Sequence, residues 1–229
     1  MRSPAWLALA LLCVGLVGGA EPPRGGRVGW ARLITPNADW AIHDGQDPKL
    51  AAFIRKETSL NIDPTWYTAD PHDLEKICAY PYLYTKDLTK ITDARVQENL
   101  REYLVRGGFI FIDPCIAHLS ARAATQFPVD HAQWFSELWP GCETRLLPAE
   151  HELFRCYFTV ATNDIFSDDM VRAGAPRPPH LEIYGVFQGE RMVAVISVVG
   201  LECGWPQTPG RAPGCMKMIV NSYIYAMTR

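Results

Sequence analysis

The sequence predicts an α/β fold: a three-layer arrangement of helices on a sheet, with an antiparallel hairpin added late in the chain. Three observations carry that expectation. A helical pattern over 92–106 runs into Gly107-Gly108 and then into Phe109-Ile110-Phe111-Ile112, four apolar residues without polar alternation. Such a run reads as a strand buried on both faces, as in a parallel sheet covered by helices. Strand-like and helix-like segments alternate with no internal repeat and no linker, which places 28–229 in a single domain. Near the end, Gln188-Gly189-Glu190 separates two β-rich runs, 181–187 and 191–199, which is a hairpin signal.

The first strand is read at 28–34, where Val28, Trp30, Leu33 and Ile34 are available to a core. A polar loop, 35–40, follows and ends on Trp40. Asp47-Pro48 opens a helix over 48–60, because aspartate caps well and proline suits the first helical position. A short strand is expected at 62–67, a helical turn or two at 72–78, and a tyrosine-rich strand at 80–84. The clearest helix spans 92–106, with Thr92 as its cap, Ile91 and Val96 as a hydrophobic staple, and Val96, Leu100, Tyr103 and Leu104 as its buried stripe. Gly107 closes it, glycine being the residue that accepts a left-handed backbone. A further helix is expected at 130–139 and a strand at 144–147, with 151–158 of open type and 161–180 a long polar loop. The run Met192–Val199 is continuously apolar and should be central. Pro213 can open a last helix whose stripe is Met216, Ile219, Val220, Tyr223 and Met227.

Residues 1–20 read as a secretory leader: Arg2, an apolar run from Trp6 to Val17, then Gly18-Gly19-Ala20 as the small residues before cleavage. The run is too short and wrongly flanked for a stable membrane span, so membrane contact is expected only through an uncleaved leader. Residues 21–27 form a flexible lead-in. The expected location is exported, periplasmic or extracellular. The net charge is −3, and about −4 without Arg2. That excludes a nucleic-acid surface, which needs a basic face, and leaves a small-molecule ligand or a protein as partner.

Six cysteines lie beyond the leader: Cys78, Cys115, Cys142, Cys156, Cys203 and Cys215. An even count in an exported chain allows disulfides, and six cysteines permit 15 connectivities. Cys203 with Cys215, bracketing a Pro/Gly-rich loop, is the first expected pair, and Cys142 with Cys156 the second. That would leave Cys78 and Cys115 near each other or free. No Cys-x-x-Cys is present, so neither a zinc ribbon nor a thioredoxin-type site is indicated.

Three constellations could carry chemistry. Cys115 stands just past a buried strand, with His118 close behind it as a possible activator. Its setting, Asp113-Pro114-Cys115-Ile116, lacks the glycines of a strained nucleophile turn, and an exported cysteine is more often bridged or buried. The histidines His43, His72, His118, His131, His151 and His180 make no H-x-H or H-x-x-x-H pair, so spacing alone indicates no metal, although a histidine with an aspartate, such as His118 with Asp113, could bind one across loops; no cofactor is expected. Asp39-Trp40, Asp113 and Glu202…Trp205 each follow an expected strand and could gather on one sheet edge as a binding rim. The plainer reading is that the tryptophans cover the core and the acids cap helices.

Several motifs resemble the bacterial domain-of-unknown-function family numbered 4159: Pro81-Tyr82-Leu83-Tyr84, Leu100-Arg101-Glu102-Tyr103-Leu104 leading to Gly107-Gly108-Phe109, Asp113, His151-Glu152-Leu153-Phe154, Cys203-Gly204-Trp205, and Val220-Asn221 with Tyr225-Ala226-Met227-Thr228. Asn37-Ala38-Asp39-Trp40 is similar to a variant of that family's Gly-Gly-Asp-Trp loop. The resemblance covers about 28–229 and implies a flavodoxin-like sheet of the class I glutamine-amidotransferase-like group. It brings no activity with it. Longer relatives carry membrane segments and resemble aerotolerance-type proteins encoded near MoxR-type ATPases. The expectation is an exported, non-catalytic domain that binds a ligand or partner. The alternative is an exported hydrolase using Cys115 or the carboxylates Asp39, Asp113 and Glu202.

Overall fold

The computed structural model describes residues 26–115, 120–161, 164–165, 182–205 and 213–229. The leader, the activator candidate His118 and much of the 161–180 and 200–214 loops lie outside these residues. Among the described residues, seven strands form one sheet in the order β2-β1-β3-β4-β7-β6-β5. They are β1 (Val28–Leu33), β2 (Ile62–Ala69), β3 (Tyr82–Thr85), β4 (Phe109–Ile112), β5 (Cys142–Leu146), β6 (Ile183–Gln188) and β7 (Arg191–Ser197). β1 pairs in parallel with β2 and β3, and β3–β4 and β4–β7 are also parallel. β6 runs antiparallel to both β7 and β5, which is the expected late hairpin with one more strand on its edge.

Alternation along the central strands divides the core in two. Trp30, Tyr82, Tyr84, Phe109 and Phe111 face one side, together with Leu50 and Ile54 of α1 (Asp47–Glu57) and Ile219 and Tyr223 of α5 (Pro213–Thr228). Leu83, Ile110 and Ile112 face the other, with Ile77 of α2 (Leu74–Cys78), Leu100 and Leu104 of α3 (Ala94–Val105), and Trp134 and Phe135 of α4 (Ala121–Leu138). The four-residue strands β3 and β4 are fully buried, which is why their sequences carry no polar alternation. α5 is tied to the sheet by two polar contacts: Tyr223 Oη donates to Gly29 O at 2.9 Å, and Tyr82 Oη and Ser222 Oγ lie 2.9 Å apart.

Several boundaries differ from the sequence reading. Asp93, not Thr92, caps α3, accepting from the amides of Arg95 and Val96 at 2.8 and 3.0 Å. Asp47 lies inside α1 rather than capping it, because its carboxylate is taken by Arg32. α4 begins at 121, capped by Ser120, and runs through Pro128 to Leu138, where the sequence reading expects a helix over 130–139. β5 spans Cys142–Leu146 instead of 144–147, and Met227 of the last helix is exposed rather than part of the buried stripe. Gly107 takes the left-handed backbone expected of it, with φ of 100°.

Candidate functional site

β1 is flanked by β2 on one side and β3 on the other, so the chain reverses its direction of winding between β1 and β3. Beyond the carboxyl ends of such strands the loops diverge and leave a crevice. Here four loops meet, those following β1, β3, β4 and β7. A buried ion network holds them together.

Arg32, on the last turn of β1 and on its Trp30 face, is fully buried. All five of its N–H donors are used. Nε and Nη2 grip Asp47 at 2.5 and 2.9 Å, Nη1 reaches the carbonyls of Trp40 and Ile42 at 2.9 and 3.0 Å, and Nη2 also pairs with Glu202 Oε1. One side chain thus fixes α1, the 40–42 loop and the 3-10 turn at Leu201–Gly204 after β7. Lys86, directly after β3, pairs with Glu202 Oε2 and lies 3.2 Å from Tyr84 Oη. Asp113, directly after β4, accepts from the amides of Leu201 and Glu202, both at 2.9 Å, and from Tyr84 Oη at 3.0 Å.

Burial dominates the electrostatics. It pushes the Asp113 carboxyl above its usual range, against the pull of Lys86, and raises Asp47 in the same way against Arg32. Burial lowers the Lys86 ammonium to about 8, with Asp113 opposing the shift. Tyr84 is held far above its ordinary value by burial and by the Asp113 charge, so it stays neutral, donating to Asp113 and accepting from Lys86. Asp113 and Glu202 are both inaccessible and already committed to partners. They therefore shape the site rather than touch anything that enters it.

Beside this network lie a pair of thiols and an imidazole, of which Cys115 lines the opening. Cys115, two residues past Asp113, and Cys203, next to Glu202, are half-buried with their sulfurs 4.0 Å apart. A ring nitrogen of His43 and the two sulfurs lie within 4.8 Å of one another. His43 Nδ1 is also 3.9 Å from Glu202 Oε2. His43 is the one non-glycine residue with positive φ among the described residues, at 63°. Histidine tolerates that conformation better than bulky residues do. The thiol of Cys203 is pushed up by its contact with Cys115 and then by burial. A cavity of about 160 Å³ opens beside Cys115, bounded by Asp39, Ile42, Lys86, Asp87 and Phe127.

The expected rim residues fare differently. Asp113 and Glu202 meet, as the backbone amide of Glu202 donates to Asp113. Asp39 stays exposed on the cavity wall, apart from the buried acids. Trp40 is half-buried and contributes its carbonyl to Arg32. Trp205 is 1% exposed and packs edge-on against Trp30, with ring centres 5.6 Å apart, and against Tyr84 at 5.3 Å, so it covers the core.

Neither expected cysteine pair is bridged. Cys142 donates to Gln188 Oε1 at 3.3 Å, Cys156 to Asn221 O at 3.3 Å, and Cys215 is buried against Ile165 O at 3.0 Å. Cys203 meets Cys115 instead, because the turn after β7 folds over the end of β4. Cys78 precedes β3 and sits by Tyr103 and Arg106 at the amino edge of the sheet, far from the Cys115 edge.

Arg32, Lys86 and His43 escaped sequence reasoning as site residues. A signal for the first two was present: a charge inside the apolar strand Val28–Leu33, and another immediately after Tyr82–Thr85, are positions where an unpaired cation would be costly. Nothing local marks His43, which lies 72 residues from Cys115 and 160 from Cys203.

Comparison with curated proteins finds no match. No helix among the described residues is long and apolar enough to cross a membrane. The family model for a domain of unknown function, DUF4159, matches residues 30–227, from the first strand to the last helix, and the chain belongs to that family.

Proposed function

We propose that this is an exported, non-catalytic binding domain whose site is the crevice at the carboxyl edge of the sheet, over Cys115 and Lys86. One observation carries the reading: Asp113 and Glu202 are sealed inside the buried network, which leaves no second candidate carboxylate beside the exposed Asp39, while the cavity beside Cys115 stays open. Its volume of about 160 Å³ is below the drug-sized range of roughly 300–1,000 Å³, so it suits a fragment-sized ligand or one side chain of a protein partner. The layered sheet and the place of Cys115 past β4 also suit an amidotransferase-like ancestry that has lost its nucleophile turn. Export is supported by the leader-like residues 1–20.

The test has two arms. Ligand-observed NMR with a fragment library should find binders that are displaced when Cys115 is capped by methyl methanethiosulfonate. The same protein should leave p-nitrophenyl acetate, p-nitrophenyl glycosides and glutamine at their background rates. Turnover lost in Cys115→Ser would replace the binding reading with that of a thiol hydrolase, and binders indifferent to the cap would move the site elsewhere.

A further inference from the structure

We propose that His43, Cys115 and Cys203 form a site for a Zn²⁺-class divalent cation, three protein ligands that leave a fourth coordination position for a further molecule, beside the cavity that Cys115 lines. The proposal rests on the reading of the carboxyl edge as the binding site, and it names the ligand class.

The donor set is the first argument. Two thiols and an imidazole are the ligands that borderline-soft cations prefer, and three protein ligands with an open position is the arrangement of sites that take up a further molecule. Geometry is the second. Thiolates about 2.3 Å from a tetrahedral zinc stand about 3.8 Å apart. The two sulfurs here are separated by 4.0 Å, close to that edge and about twice a disulfide bond of roughly 2.05 Å. The imidazole need approach by no more than about 1 Å to coordinate, since a tetrahedral nitrogen–sulfur edge is about 3.6 Å and these atoms all lie within 4.8 Å of one another. His43 is exposed and makes the adjustment without disturbing the core.

The surroundings complete the case. Ligating imidazoles are commonly backed by a carboxylate, and Glu202 Oε2 lies 3.9 Å from His43 Nδ1. The nearby cations Arg32 and Lys86 are outnumbered by Asp47, Asp113 and Glu202, so the network does not repel a metal ion. The ligands arrive from three loops, after β1, β4 and β7, that the Arg32 and Asp113 contacts already hold in place. Binding displaces two thiol protons to solvent and changes no oxidation state.

The experiment is an anaerobic titration of the reduced, metal-free full chain with Co²⁺, followed by Zn²⁺. One equivalent of Co²⁺ should give a thiolate-to-metal charge-transfer band and intense tetrahedral visible bands, and Zn²⁺ should displace it. Cys115→Ser, Cys203→Ser and His43→Ala should each weaken binding at least about tenfold, the lower end of what even outer-shell partners contribute. Cys142→Ser should bind normally. His43 lies at the surface, so unchanged circular dichroism in His43→Ala separates lost ligation from lost folding. Absence of stoichiometric binding, full affinity in Cys203→Ser, or a 115–203 disulfide in protein recovered without reductant from an oxidising compartment would overturn the proposal. Fragment binding that persists in His43→Ala would then show that the metal site alone had failed and that the crevice still binds.

Discussion

Replacing Arg32 by methionine should be among the most damaging single changes this chain can suffer. The substitution keeps a long apolar stem but removes the guanidinium that neutralises Asp47 and Glu202 and satisfies two loop carbonyls. Breaking a buried ion pair by removing one partner costs about 3–5 kcal/mol, because the charge left behind has no water to turn to. Each orphaned carbonyl adds about 1 kcal/mol where water cannot reach it. For a chain of this size, about 2–4 °C of melting temperature accompanies each kcal/mol, so a total loss of about 5–7 kcal/mol should lower the midpoint by about 10–28 °C. Thermal and urea unfolding followed by circular dichroism measure it. The double variant Arg32→Met with Glu202→Gln should lose at least about 1 kcal/mol less than the two single variants summed, since the two side chains share one contact. A loss under about 1 kcal/mol in Arg32→Met, or strict additivity in the cycle, would refute the view that this network holds the site loops together.

Asp113→Asn keeps the shape but turns one acceptor into a donor facing the Glu202 amide and Tyr84 hydroxyl, and should cost about 2–3 kcal/mol in urea unfolding. Gly108→Ala would drive its new methyl group into the ring of Tyr103, whose hydroxyl is anchored to Tyr80 O and Phe109 O at 3.0 and 3.1 Å, for about 1–3 kcal/mol of overpacking measured the same way. Asp87 should shape the acid limb of stability: burial raises its carboxyl, but His131 and both donors of Thr89 outweigh that and hold it at about 2, below the usual 3.8. Between those values the unfolded chain binds more protons than the folded one, so stability present above pH 4 is lost as pH falls toward 2. Allowing for partial exposure the effect is about 1 kcal/mol, and Asp87→Asn should show an acid limb flatter by that amount. Acrylamide should quench the half-buried Trp40 well before the buried Trp205, so Trp40→Phe should remove more of the quenchable fluorescence than Trp205→Phe does.

The parts of the fold that could be read from the chain are those whose cause is local. Phe109–Ile112 announces a strand buried on both faces, and Gly107 announces the end of α3, because a periodicity and a left-handed backbone are properties of a few neighbouring residues. Asp113 was recognisable as the polar end of that strand for the same reason. α4 begins nine residues before the expected 130, on a Ser120 cap, and the added stretch holds Pro128, a residue that locally disfavours a helix interior, while Phe127, Trp134 and Phe135 pack on the core. The cysteines were misjudged for a non-local reason. Loop-bracketing spacing suggested Cys203 with Cys215, yet the partner of Cys203 is set by strand order, which puts β7 beside β4 and so Cys203 beside Cys115. His43 joins them only because β1 lies two strands away with its carboxyl end on the same edge. A site assembled from three loops across the sheet leaves no spacing in the sequence to find.

The central claim is that the sulfurs of Cys115 and Cys203 meet at the carboxyl edge of the sheet. Cross-linking the folded, reduced protein with dibromobimane and mapping the product by mass spectrometry tests it most directly. The structure predicts a fluorescent bridge between the peptides containing Cys115 and Cys203, absent in Cys203→Ser. A bridge from Cys203 to Cys215, or from Cys142 to Cys156, would contradict it, as would single labelling of Cys115 and Cys203 with no bridge between them.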